Sequence, residues 1–284
     1  MDFRGGLRRD RYNWQMRRSG RIIQFVAALV GAMGGTVSHA QSPAGRPFVV
    51  GERADYDVKY GLIHAGTASV EVTGIDTVRS RAAYGFRLTM SAGVNLLLYR
   101  YSVRDTMRSW VDTATFQSLR FNQDQLDGGR QRHKRYEIFP ERRAFQDGGS
   151  AEQPSVADPL DDVAFLFFVR SQRFDLGATE SWSRYFKPQS NPVVLHVLRR
   201  DTIEASGRKW PTVVVRPIIK TSSLFAQNGE AQVWISDDPA HVIVQINTKL
   251  SVGSITMKLK SYTAPAAVAV PGDSARSEAV RKPR

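Results

Sequence analysis

The chain has 284 residues, with 40 Lys+Arg against 27 Asp+Glu, a formal net charge of +13 and no cysteine. At 42% hydrophobic and 24% charged it has the composition of a folded globular protein, which excludes wholesale disorder and a multi-span membrane protein. The lack of cysteine excludes disulfides, thiolate metal sites, a cysteine nucleophile and a lipid-modified N-terminal cysteine.

Residues 1–40 read as a secretory signal. Arg17, Arg18 and Arg21 form a basic region, Ile22 to Val37 an apolar stretch, and Ser38-His39-Ala40 a small-x-small cleavage site. The apolar stretch is short and glycine-rich for a stable membrane span, and Arg17-Arg18 lacks the context of a twin-arginine signal. A mature chain starting at Gln41, periplasmic and not a lipoprotein, is expected. Translation from Met16 would give a more ordinary signal than translation from Met1. Residues 1–40 carry seven Arg and two Asp, which leaves +8 on residues 41–284. That charge predicts attraction to anionic lipid head groups or polyanions. The 31 Arg against 9 Lys are read as GC-rich codon usage rather than as phosphate recognition.

From Phe48 onward the pattern has period two. Tyr56, Val58 and Tyr60, then Ala68, Val70 and Val72, then Tyr84, Phe86, Leu88 and Met90 alternate with polar or small residues. This is the mark of strands with one dry and one wet face. Similar stretches lie at 97–108, 115–125, 131–139, 193–199, 212–219, 230–235, 242–250 and 255–262. Asp127-Gly128-Gly129, Asp147-Gly148-Gly149, Asn228-Gly229 and Asp237-Asp238-Pro239 read as turns. Pro217 lacks an N–H, so its strand should be at an edge or bent there. Ten or more short strands with no βαβ alternation predict one all-β domain over 41–263: an antiparallel curved sheet, open β-barrel or sandwich. One segment differs. Asp158 as N-cap, Pro159 at the first helical position and Asp161-Asp162 behind them should open a helix through Val163–Arg170. That helix is apolar nearly all round and should be buried against the sheet. Residues 149–157 read as a flexible polar loop and 264–284 as a disordered tail.

The stretch Gly51-Glu52-x-x-x-Tyr56-x-Val58-x-Tyr60-Gly61-x-Ile63-x-Ala65-Gly66-x-Ala68 resembles the start of the DUF3108 family of exported bacterial proteins. Asp105 in a Tyr-x-Val-x-Asp strand, Asp158 through Arg170, Trp234-Ile235-Ser236-Asp237-Asp238, and Gly253-Ser254-Ile255 with Leu259 extend the likeness over roughly residues 50–262. The resemblance implies an exported, mainly β, curved-sheet or barrel-like domain of Gram-negative-type bacteria. It carries over no catalytic residue. Family members often have a hydroxyl residue where this helix has Ala164, so no nucleophile is expected there.

Chemistry-bearing patterns are sparse. Asp161/Asp162 are explained by a helix N-terminus and Asp237/Asp238 by a turn. His64, His133, His196 and His241 have no metal-ligand spacing, no serine sits in a G-x-S-x-G elbow, and no phosphate-binding fingerprint appears. In Gln131–Tyr136, Arg132 and Lys134 should share one sheet face, and His133 and Arg135 the other. Arg170 should serve as a clamp, complementing the helix C-terminus or pairing with a carboxylate such as Asp105.

The expected function is therefore that of a non-enzymatic envelope protein with no cofactor, no metal and no nucleic acid. It would bind a lipid, glycolipid or other amphiphile on a concave apolar face. The alternatives are an envelope assembly factor and a hydrolase of envelope polymers with facing carboxylates. Tyr99, Tyr101, Arg170 and Trp234 are the residues offered to a ligand or partner. Gly66, Asp105, Asp158, Pro159 and Asp238 are expected to be structural. The space between helix and sheet discriminates: a long dry cavity favours a carrier, a filled core the assembly reading.

Overall fold

The structure, a computed structural model, describes residues 45–96, 99–219, 231–249 and 254–265, without the side chains of 94–96, 99–101 and 219. The expected signal and its cleavage site, the start at Met16, the Asn228-Gly229 turn and the tail beyond residue 265 lie outside the described residues, as do the side chains of Tyr99 and Tyr101.

The chain forms β1 (Arg53–Tyr60), β2 (Ile63–Val78), β3 (Arg81–Leu96), β4 (Tyr99–Asp112), β5 (Ser118–Asp127), β6 (Arg130–Phe139), β7 (Ala144–Asp147) and β8 (Gln153–Pro154). Helix α1 (Asp162–Arg170) follows, then β9 (Thr179–Trp182), β10 (Val193–Ala205), β11 (Arg208–Ile219), β12 (Gln232–Ser236), β13 (Ile243–Lys249) and β14 (Ser254–Thr263). Thirteen strands make one antiparallel sheet in the order β10-β11-β12-β13-β14-β1-β2-β3-β4-β5-β6-β7-β8. The first and last strands pair at its middle, so the sheet's edges come from the middle of the chain. β9 flanks β10: Val197 N–H donates to Ala178 O and Gly177 N–H to Val197 O.

Alternation places the dry residues on one face, and pairing strings them into rows. One row runs Val197–Val215–Val233–Ile246–Met257–Val58–Gly66–Ala92–Val103–Asp127. Register shifts at Val58/Lys59, Val72/Gly74, Trp110/Val111 and Val197/Arg199 add local twist, which curls the sheet around the row. The β5–β6 hairpin turns on Gly128 and Gly129, both at positive φ, as the Asp-Gly-Gly signal requires. Pro217 lies beyond the last described β11–β12 pair, Val215↔Val233, where no ladder N–H is needed on that side. Residues 149–157, expected as loop, instead contain β8, which pairs with β7 through Phe145↔Gln153.

Helix α1 is buried from Val163 to Arg170. Phe167 stacks on Phe86 of β3 with centroids 3.9 Å apart, and Phe48 meets both rings edge-on. The start of this helix corrects the sequence reading. Asp158 and Pro159 do not cap it; Asp161 does, with its carboxylate accepting from Val163 N–H and Ala164 N–H. Leu160 is held extended by a bridge to Tyr185, which postpones the first helical turn. Asp158 instead accepts from the Gln117 side chain, and Pro159 O from Ser118 N–H.

Candidate functional site

Two polar assemblies are anchored on α1. At its N-terminus, Asp161 Oδ1 takes the two helix amides at 2.9 and 3.0 Å. Oδ2 takes the hydroxyls of Ser109 on β4 (2.5 Å) and Ser118 on β5 (2.6 Å). Four donors satisfy a fully buried carboxylate at the positive end of a helix. Burial still pushes its carboxyl upward, against those four bonds.

Beside it lies the most unusual chemistry in the described molecule. Inward-facing Asp105 on β4 is 1% exposed. Its Oδ2 accepts from Gln123 Nε2 at 2.7 Å and Gln125 Nε2 at 3.4 Å, both on β5, while buried Oδ1 has no hydrogen-bond partner among the described residues. Burial raises this carboxyl to about 6. Asp162 receives the Tyr185 hydroxyl at 3.1 Å, and burial together with neighbouring Asp161 raises it to about 7. The charge of Lys134 on β6 bears on Asp105 and Asp162 alike and joins them into one cluster. Lys187 extends it: burial lowers its ammonium, which donates to Tyr136 Oη at 2.8 Å and sits 4.2 Å from that ring's centroid. Asp105 and Asp162 thus hold their protons to higher pH than exposed carboxylates, and Asp105 keeps one oxygen without a hydrogen bond among the described residues.

The second assembly is at the other end of α1. Arg170 Nη1 pairs with Glu52 Oε1 at 2.6 Å, both side chains buried. Nη2 donates to Pro47 O and Ala240 O, and Nε to His241 O. The expected partner, Asp105, is corrected to Glu52. The helix runs from the β4–β5 side to the start of β1, so its last residue ends far from Asp105 along the sheet's curve.

The remaining expected residues are dispersed. Trp234 is buried, with its indole N–H on Asp201 at 3.0 Å. Asp238 accepts from Ser236 Oγ and Ala240 N–H in the β12–β13 turn. Gly66 lies against β3 so closely that an added Cβ would sit 2.0 Å from Ser91 O. Tyr99 and Tyr101 are placed only by backbone pairing, with Leu96 and Val94. Lys134 faces inward, and outward His133 and Arg135 both engage Asp124. No group of three His, Cys, Asp or Glu comes together as a metal site among the described residues. Gln123, Gln125, Tyr185 and Lys187 were not singled out from the sequence. The first two were findable, since period two from buried Phe121 puts both glutamines on the dry face. Tyr185 and Lys187 lie in an irregular stretch where no periodicity points inward.

No helix among the described residues is long and apolar enough to cross a membrane. No curated protein matches the chain. Among solved structures, a β-barrel-like protein of the DUF1849 domain from Brucella abortus is similar at TM-score 0.53 and 10% identity, covering 76% of this chain and 98% of that one. A candidate lipoprotein from Parabacteroides distasonis covers the same shares at TM-score 0.33 and 9% identity. The first likeness shows the fold, a barrel-like curved sheet. A family model described as "Protein of unknown function (DUF3108)" matches residues 55–260, and the chain belongs to that family.

Proposed function

We propose that this is an exported, non-enzymatic protein of the cell envelope that acts by contact with another envelope component rather than by enclosing a ligand. The observation that carries this reading is the close packing of α1 on the sheet among the described residues. Beside α1 the cleft lined by Tyr56, Val70, Leu166, Phe167, Val242 and Ile243 has a volume of about 10 Å³, the room of one water. An acyl chain needs a pocket of roughly several hundred Å³. The aromatic stack of Phe48, Phe86 and Phe167 occupies the place a lipid would take. Export is supported by the basic, apolar and small-x-small succession of residues 17–40. Absence of catalysis is supported by the carboxylates at the helix start, where Asp161 is saturated by four donors and Asp162 holds a tyrosine hydroxyl.

The test is photo-crosslinking in cells from outward strand positions, combined with lipid extraction of protein purified from its native envelope. Protein adducts and a lipid-free preparation are expected. A stoichiometric co-purifying acyl lipid would overturn the reading in favour of a carrier. N-terminal sequencing of the osmotic-shock fraction should begin at Gln41, and a retained leader there would refute export by this signal.

A further inference from the structure

The row from Val197 to Asp127 divides the sheet into an end of mixed charge and a cation-rich end. On the helix side lie Asp55, Glu71, Asp76, Asp112, Glu137 and Asp237, most of them paired with arginine. Beyond the row on the other side, the described residues of the thirteen strands and their turns include Lys59, Arg216 and Lys249 and no Asp or Glu, while Arg130 pairs in register with the row's own Asp127. The nearest described acid there is Glu180, on β9 beyond the β10 edge.

This cation-rich end carries an apolar tip. Tyr60 pairs with Ile63, so Gly61-Leu62 is a two-residue hairpin turn, and Gly61 has positive φ. Leu62 is 97% exposed and Ile63 53%. Such a turn needs backbone freedom, and Asn, Asp or Gly supply it; nothing in the fold calls for leucine there. One exposed leucine alone would need no explanation. Two adjacent aliphatic side chains at the tip of a hairpin, on the cation-rich end of the sheet, form a pattern.

We propose that this end docks on an anionic lipid bilayer, with Leu62 and Ile63 entering the head-group boundary and Lys59 lying over a phosphate. The occupant follows from the chemistry: aliphatic side chains seek the acyl boundary, while a cation-rich rim seeks a negatively charged plane. The docking does not depend on the packing of α1 against the sheet, so its failure would leave the functional reading intact.

The test is co-sedimentation of the purified protein with phosphatidylglycerol/phosphatidylcholine vesicles and with phosphatidylcholine alone. Binding only to the anionic vesicles is expected, falling as salt rises. Leu62→Asn, which keeps the turn chemistry, should weaken binding about tenfold, consistent with removing one buried aliphatic side chain. Lys59→Gln should weaken it about fivefold. Ile75→Asp, at an equally exposed aliphatic (58%) near the opposite end of β2, should leave it unchanged. No vesicle binding, equal loss with Leu62→Asn and Ile75→Asp, or a Leu62-dependent dimer in sedimentation velocity would each overturn the proposal.

Discussion

A single carboxyl shows how burial becomes pH dependence. Asp105 titrates near 3.8 when exposed and is raised to about 6 in the fold. Between those values the unfolded chain has lost the proton that the folded protein keeps, so stability falls as pH rises from about 4 to 6 and then levels off. Asp162 extends the fall to about 7. Asp105→Asn should therefore gain about 2 kcal/mol at pH 7.5 and make the urea midpoint's pH profile less steep between 4 and 6, leaving the fall that belongs to Asp162. An unchanged profile would mean that Asp105 is not desolvated. Gly66 makes the opposite kind of point. Its substitution by Ala drives a methyl into the β3 backbone at Ser91, and we expect a loss of about 2 kcal/mol in the same assay.

At the scale of one element, the helix start is set by neighbours rather than by local chemistry. Asp158, Asp161 and Asp162 are all competent caps, and Pro159 favours the first. Ser109 and Ser118, far away in sequence, offer their hydroxyls only to Asp161. Asp161→Ala should cost about 3 kcal/mol, a lost cap plus two buried hydroxyls left unpaired, whereas Asp158→Ala should cost less than about 0.5 kcal/mol by chemical denaturation. Equal costs would return the cap to Asp158. Phe167→Ala should remove about 3–5 kcal/mol, because its ring fills the space against Phe86 and Phe48.

At the scale of the whole molecule, Arg170 ties together segments that the chain order separates: residue 47 before the sheet, Glu52 at the start of β1, and the β12–β13 turn at 240–241. Arg170→Met should cost about 3–5 kcal/mol, since Glu52 is left as an unpaired buried charge, and adding Glu52→Gln should recover part of that loss in a double-mutant cycle. Additive losses would show that the pair is uncoupled. The pairing of β14 with β1 closes the middle of the sheet. The edges are left to the two-residue β8 and to β10, which β9 flanks; short or covered edges offer little to a strand-adding partner. This is why the proposed contact surface is a tip and not an edge.

Alternation along the chain was enough to read most strands, the hairpin at Gly128-Gly129 and the burial of Val163–Arg170, because a dry face must recur every second residue in a strand and a helix apolar on every side can only be interior. The same alternation held Gln123 and Gln125, unread, on the dry face. The partners of Asp161, Asp105 and Arg170 were decided by tertiary structure alone. Apart from the two helix amides on Asp161, each is a polar group whose solvation is replaced by donors or acceptors at least 18 residues away, and the curl of the sheet, not spacing along the chain, brings them within reach.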